Sequence, residues 1–361
     1  MRSNCEKRTV VLTLTNKCNL HCIYCYEGLK DNHSMSFETA KAILDKEFAL
    51  NENKELQIDF HGGEPLYCFD MIKQLCEWSL SQKRNCKYIF FIGTNGTLLT
   101  PTMKKWFVEH KDRVWLGLSL DGTKQMHNIN RSNSFDSIDI DFFTTHWPKQ
   151  SIKMTLSKQT LPDVAKGVIF AHEKGFEVSF NLAYGIAWTD DMLDIYEKQL
   201  DILVAYYKAH PALKIAANFD KKLVTVFSQD PLERHCGAGK YMKAYDTYGK
   251  EYPCHMFASN TLENNRWAEI ANSDFDDETI FEDEECHLCP IYRLCPTCYG
   301  MNFIERNNIG KRDKRLCGFN KINTKAICKL RYNNLIDKPN SEITAEEYAE
   351  LKAVKYLFGQ L

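Results

Sequence analysis

The run Thr15–Cys25, TNKCNLHCIYC, follows directly on an alternating, β-branched stretch, Arg8–Leu14 (RTVVLTL). That order, strand then cysteine loop, decides the fold. Cys18, Cys22 and Cys25 are spaced C-x3-C-x2-C, with Tyr24 before the last thiol and Tyr26 after it. A tetrahedral zinc or an ordinary 4Fe–4S cluster takes four protein ligands, so a compact triplet leaves one metal corner for something else. A zinc site completed by His21 or a distant residue, or simple buried thiols, would use the same residues.

Working outward, five more short β-rich runs follow, each after a stretch of helical character: Leu56–Phe60, Tyr88–Ile92, Val114–Leu118, Ile152–Leu156 and Glu177–Leu182. Between them, Phe37, Ala40, Ile43, Leu44 and Phe48 recur at helical steps within 36–50, and a further helix is expected over 161–174. The alternation predicts an α/β fold, a partial (β/α)6 barrel with right-handed crossovers. In parallel β/α folds, ligands sit where strands end. The six exits read TNKCNLHCIYC, HGGEP, TNGT, SLDGT, SKQT and AYG, which places polar, glycine-bearing and cysteine-bearing loops on one face.

Lys plus Arg number 46 against 48 Asp plus Glu, so the chain is no nucleic-acid polyelectrolyte. No apolar run reaches the roughly 18 residues of a membrane span, and no signal-peptide pattern opens the sequence, so no membrane partner and a cytoplasmic location are expected. Fifteen cysteines in such a chain argue for metal or cluster ligation rather than disulfides. Seven of them fall between Cys236 and Cys317. The expected organisation is a barrel over 1–189, a helical linker region over 190–235, a cysteine-rich domain over 236–330 and a helical tail over 331–361. The acidic run 274–285 and the basic run 311–315 are read as solvated loop faces. Cys5, Cys68, Cys76, Cys86 and Cys328 have no partner pattern.

The cysteine loop after the first strand, followed by Gly62-Gly63-Glu64-Pro65 after the second, resembles the radical S-adenosylmethionine superfamily. The resemblance implies that Cys18, Cys22 and Cys25 hold a 4Fe–4S cluster whose open iron binds S-adenosylmethionine. Reductive cleavage of that cofactor gives a 5′-deoxyadenosyl radical. It further implies that Gly62 and Gly63 allow close approach to the methionine ammonium, that Glu64 supplies negative charge there, and that Tyr24 lies near the adenine. Ser119, Asp121 and Arg131, in SLDGTKQMHNINR, match the segment used around the ribose and the methionine carboxylate. A guanidinium suits a carboxylate because it binds bidentately.

Cys236 is followed after twelve residues by Gly249 and after four more by Cys254; then come Cys286, Cys289, Cys295, Cys298 and Cys317. This resembles the SPASM extension of radical enzymes that act on peptides and proteins, with one departure: two residues rather than three separate Cys295 from Cys298. The middle four would also suit a treble-clef or ribbon zinc site. By resemblance, one auxiliary 4Fe–4S cluster sits on Cys286, Cys289, Cys295 and Cys317, and another on Cys236, Cys254 and Cys298, making three clusters in all. The second auxiliary set lacks a fourth thiol. His235 or His255 is a candidate for that corner, or the corner is open and available to a substrate thiolate.

The expected chemistry is oxidative modification of a side chain in a ribosomally made peptide, forming a thioether or a carbon–carbon crosslink. The alternative is conversion of Cys or Ser to formylglycine in a sulfatase. The sulfatase-maturing relatives carry Asp as general base directly after the G-x4-C cysteine. Here His255 stands there, and His can also accept a proton. A flavodoxin- or ferredoxin-type electron donor is implied. Because the first strand starts near Arg8, leader recognition is expected to use the barrel mouth, the SPASM region or a separate leader-binding protein. A reading of another class is a non-catalytic iron–sulfur carrier or a zinc-stapled binding module.

Overall fold

The computed structural model describes residues 7–28, 30–51, 54–148, 150–230, 234 and 236–361. Six parallel strands run in chain order: β1 (Lys7–Thr15), β2 (Glu55–Gly62), β3 (Lys87–Thr94), β4 (Val114–Leu118), β5 (Ser151–Leu156) and β6 (Glu177–Leu182). β1 to β4 form one continuous ladder and β5 with β6 another. The two are joined by a single bridge, Ser119 to Lys153, and by the Leu120 N–H donating to Lys153 O at 3.1 Å. The result is an incomplete barrel, open on one side.

Helices α1 (Phe37–Leu50), α2 (Phe69–Ser81), α3 (Pro101–Glu109), α4 (Lys124–Asn130), α5 (Ile140–His146) and α6 (Val164–Glu173) fill the crossovers. Alternation along the strands explains the layers. Leu56, Ile58 and Phe60 of β2 are buried with Val10, Leu12 and Leu14 of β1 and Phe90 and Ile92 of β3, in the core between sheet and helices. Gln57, Asp59 and His61 therefore point the opposite way, into the barrel lumen. Ser36 caps α1 by accepting from the Thr39 N–H.

Both edges of the barrel are covered. The short strand β7 (Met242–Tyr245) pairs in parallel with β1, Thr9 opposite Met242 through Leu12 opposite Tyr245, and then turns back antiparallel into β8 (Glu251–Tyr252). On the other side the Asn218 amide stands in for a strand, accepting from Phe180 N at 3.0 Å and donating to Phe180 O at 2.5 Å.

The stretch 190–235, expected as a helical linker region, carries one long helix. Helix α7 (Leu193–Ala209) buries Tyr196, Leu200, Leu203, Val204 and Tyr207 in the main core, because its apolar stripe packs on α6 and on α10 (Cys317–Leu335). Nor does the chain break at 330: α10 runs through that point, and α11 (Ala345–Phe358) lays Ala353, Val354 and Leu357 against the same core. Thr344 starts α11 with a capping box to Glu347. A second, smaller core gathers Tyr252, Met256, Phe257, Trp267, Phe281, Tyr299 and Phe303, and includes helices α8 (Asn264–Ala268) and α9 (Tyr299–Arg306). Among the described residues, no helix is long and apolar enough to cross a membrane.

Candidate active site

The cysteine loop is fastened to the next two strand exits by backbone and buried polar bonds. Gly63 N donates to Thr15 O and Glu64 N to Lys17 O, both at 2.9 Å. This approach is possible because both glycines lack Cβ. A Cβ on Gly63 would stand 2.6 Å from Lys17 O and 2.7 Å from Asn16 O, and one on Gly62 would stand 2.3 Å from Thr15 O. Gly62 also has φ of 150°, a conformation L side chains rarely adopt. The glycine pair thus makes room for the protein's own backbone.

Glu64, expected to supply negative charge at the methionine ammonium, is bound into the neighbouring loops. Its side chain is 1% exposed, and its carboxylate accepts from Leu66 N (3.2 Å), Thr94 Oγ1 (2.7 Å) and Asn95 N (2.8 Å). Burial pushes its pKa up, and these donors pull against that rise. Asn95 in turn donates through Nδ2 to Asn19 Oδ1 at 2.9 Å, and Asn19 donates to Thr97 Oγ1 at 2.8 Å. Glu64 is the staple that sets the TNGT loop against the cysteine loop.

Asp121 is a second such node, fully buried. It accepts from Tyr24 Oη (2.6 Å), Arg131 Nε (3.0 Å), Asn130 Nδ2 (3.1 Å) and Thr155 N (2.8 Å). The sequence expectation set Tyr24, Asp121 and Arg131 around one ligand; the structure brings them into one hydrogen-bonded cluster, with the Arg131 guanidinium 5.5 Å from the centre of the Tyr24 ring. Asp121 directs its oxygens inward. Arg131, bound through Nε, lies close enough to Cys22 for its charge to counter the rise that burial imposes on that thiol. Ser119 is half-buried at the bridge between β4 and β5.

Among the described residues no group of three or more His, Cys, Asp or Glu side chains is arranged to hold a metal ion, yet thiols within each expected set influence one another's charge. Burial raises the Cys18 and Cys22 thiols, and proximity to Cys25 adds to the rise in each. Burial raises Cys254 strongly, reinforced by Cys298 and Cys236, and pushes Cys298 up to about 11, reinforced by Cys236. Burial raises Cys317, reinforced by Cys295, Cys286 and Cys289, and these four line one cavity. Tyr26 stands between the first two sets: burial raises its hydroxyl, helped by Glu27, Cys25, Cys298 and Cys254. Cys76 and Cys328 are buried in the main core instead. Cys5 and His235 lie outside the described residues.

Between the barrel and the second core lies a cavity of about 540 Å³, lined by Tyr24, Tyr26, Lys153, Tyr184, His255 and the thiols Cys236, Cys254 and Cys298, among others. His255 Nδ1 is buried there without a hydrogen-bond partner. Burial, then His61 and Lys153, push its pKa down to about 3, which leaves the ring neutral.

Two groups in or beside the cavity escaped the motif reading. His61 lies 4.9 Å from His255, ring to ring, and 3.2 Å from the Glu27 carboxylate. Lys153 lines the cavity beside the Asn181 amide. Period-two alternation was the available signal. It sets His61 opposite Phe60 and Lys153 opposite Ile152 and Met154, on the lumen face.

The sequence matches the Radical SAM superfamily over residues 12–198, just over half of the chain. A cysteine-type anaerobic sulfatase-maturating enzyme of Clostridium perfringens is 31% identical over 179 residues, 44% of this chain and 47% of that protein. The alignment thus spans about half of that relative's length. In fold, the chain is similar to native anSMEcpe with bound AdoMet and Cp18Cys peptide, with TM-score 0.70 and 20% identity over 91% of this chain and 98% of that one. It is also similar to Streptococcus suis SuiB bound to precursor peptide SuiA, with TM-score 0.56 and 16% identity over 86% and 75%. On the match over residues 12–198, the chain belongs to the radical SAM superfamily and is an enzyme of it, and that family's cofactors are S-adenosylmethionine and a 4Fe–4S cluster.

Proposed function

We propose that this enzyme oxidatively modifies a side chain of a ribosomally made peptide, forming a thioether or carbon–carbon crosslink, in the cavity between the barrel and the second core. The observation that carries the reading is that one cavity is walled on the barrel side by Tyr24 and Tyr26 of the cysteine loop and on the other by Cys236, Cys254 and Cys298. A radical generated at the first set and an electron acceptor at the second would then face the same bound side chain. By the sequence resemblance these thiols would hold three clusters: Cys18, Cys22 and Cys25; Cys236, Cys254 and Cys298; and Cys286, Cys289, Cys295 and Cys317. When bound, these groups supply reductive cleavage of S-adenosylmethionine and uptake of the substrate's electron.

The chain's own residues do the rest. Tyr24, Ser119 and Arg131 would hold the nucleoside and carboxylate of the cofactor, with Asp121 fixing Tyr24 and Arg131 and Glu64 fixing the loops. The second core walls one side of the cavity. His255, which lines the cavity and whose buried Nδ1 has no hydrogen-bond partner, is the candidate proton acceptor from the substrate. A flavodoxin- or ferredoxin-type donor and a separate leader-binding protein would be its partners in the cytoplasm.

The relative from Clostridium perfringens and the likeness to anSMEcpe favour a second reading, formylglycine formation on Cys or Ser of a sulfatase, with His255 in place of Asp. The test is anaerobic reconstitution followed by dithionite reduction, with and without Cys18, Cys22 and Cys25 replaced by Ala. About twelve irons per chain, and 5′-deoxyadenosine that disappears in the triple variant, are expected. Zinc in place of iron with no deoxyadenosine would end the proposal. Mass loss of two hydrogens in a supplied peptide, against conversion of a sulfatase-type Cys to an aldehyde, separates the two readings.

A further inference from the structure

The cavity lined by Cys286, Cys289, Cys295 and Cys317 is bordered by a buried cation with no carboxylate partner among the described residues, its guanidinium 4.2 Å from the centre of the Tyr292 ring. Arg312 is 3% exposed, and its Nη1 donates to Tyr292 O (3.1 Å) and Cys295 O (3.0 Å). Its Nε and Nη2 are buried without hydrogen-bond partners, and no carboxylate lies within ion-pair distance of its guanidinium among the described residues. Of Arg312, only the backbone N–H reaches the Asp283 carboxylate, donating to its Oδ2 at 2.8 Å. A buried guanidinium with no counter-charge is costly, so the site calls for an anion.

Two further cations stand beside the same thiols. Lys221 Nζ donates to Leu294 O at 2.9 Å and has no carboxylate partner among the described residues. Lys314 Nζ lies 2.9 Å from Cys286 Sγ, partly balanced by Asp283 at 3.2 Å and Glu285 at 3.5 Å. Asn320 Nδ2 adds a hydrogen bond to Cys295 Sγ at 3.4 Å. Burial raises the Cys295 thiol, and the Arg312 charge is the largest influence opposing it.

The other auxiliary set has fewer such cations: Lys153 lines its cavity with no carboxylate partner among the described residues, but the neighbouring arginines are paired. The cation beside Cys236 is Arg234, already paired with Glu278 at 2.8 Å. The one beside Cys298 is Arg306, paired with Glu305 at 2.7 Å and with Asp313 at 3.6 Å. Cys254 is opposed by the backbone N–H groups of Met256 and Phe257.

We propose that Arg312, aided by Lys221 and Lys314, is the counter-cation of an iron–sulfur cluster on Cys286, Cys289, Cys295 and Cys317, and holds its reduction potential above that of the cluster on Cys236, Cys254 and Cys298. This rests on the ligand assignment made under the proposed function. One-electron reduction adds one negative charge to a cluster, and net charge and hydrogen bonds at the sulfurs set its potential. A nearby buried cation therefore favours the reduced form, and these are positioning residues rather than catalytic ones.

The test is a redox titration of the reconstituted full chain followed by electron paramagnetic resonance, with iron counted in each sample. The relevant signal is the one lost when Cys286 and Cys289 are both replaced by Ala. Arg312→Met should keep the wild-type iron content and shift the reduced-to-oxidised ratio of that signal at least tenfold toward oxidised at a fixed potential, about 59 mV for one electron. Arg312→Lys should recover most of the shift, and the other signals should stay in place. Full iron with an unmoved potential, or an equal shift in every signal, overturns the proposal. Should Arg312→Met lose iron, Lys221→Met and Lys314→Met decide it: a lowered potential in each supports the proposal, and no change in either overturns it. If the double Cys variant loses no iron, the ligand assignment fails and the inference falls with it.

Discussion

Replacing Glu64 by Gln changes one oxygen into an amide N–H2 and nothing else, which makes it a sharp probe of the stapling role. If the Gln oxygen keeps the two donors now on Oε1, Leu66 N and Thr94 Oγ1, its amide must face the Asn95 N–H, a donor, in place of the present 2.8 Å bond. Turning the amide over leaves the Leu66 N–H unanswered instead. Either way a buried donor loses its acceptor, at about 1–3 kcal/mol, and the charge assistance of the remaining bonds is lost as well. The apo chain should therefore lose about 2–4 kcal/mol in urea unfolding. Because Asn95 positions Asn19 within the cysteine triplet, 5′-deoxyadenosine formation should fall by more than the lost iron explains. A Glu64→Gln chain within about 0.5 kcal/mol of wild type, cleaving S-adenosylmethionine at the normal rate, would refute the staple and return Glu64 to the role of a charge facing the ligand.

Gly63→Ala must push a Cβ into Lys17 O at 2.6 Å, so it should cost about 1–3 kcal/mol and weaken iron retention by the first cysteine set, read by iron analysis. Asp121→Asn removes the counter-charge of buried Arg131 and should cost about 3–5 kcal/mol in unfolding; a neutral outcome would mean that Arg131 finds another anion. His127 is buried neutral: the Asp121 N–H donates to its Nδ1 at 3.3 Å, and Ser134 Oγ lies 3.0 Å from its Nε2. Burial, then Arg131, push its pKa down to about 4 from 6.5. Its contribution is complete above pH 6.5 and is lost as pH falls toward 4, amounting to about 3 kcal/mol. Urea midpoints measured across that window should slope in wild type and flatten in His127→Gln.

The barrel was legible because its signals are local. Alternation in Val10, Leu12 and Leu14, the helical spacing of Ala40, Ile43 and Leu44, and the loop residues after each strand are read within a few positions. What escaped depends on partners far along the chain. Nothing in Met242–Tyr245 announces that its partner is β1, and the apolar stripe of α7 reads the same in a linker helix as in a core helix. The polar residues divided likewise. Motif order pointed to Tyr24, Asp121 and Arg131, which prove to be hydrogen-bonded or stacked together. It did not show that Glu64 faces inward, since a side chain's direction depends on donors supplied by other loops. The acidic and basic runs read as solvated faces in fact meet, through Asp283 and Lys314, beside the four-cysteine cavity.

The pairing of β7 with β1 also sets an order of events at the ribosome. The Arg8 guanidinium donates to Lys240 O across 232 positions, so at roughly 5–20 residues per second the first strand waits tens of seconds for its outer neighbour. Throughout that interval β1 presents an open edge of unpaired N–H and C=O groups beside a reactive thiol loop, the kind of template on which chains aggregate. A truncated chain ending near residue 198 would keep that edge exposed for good. Full-length synthesis, unhurried and sheltered by chaperones, should give far more recoverable protein than the isolated barrel, however complete the barrel's own chemistry looks.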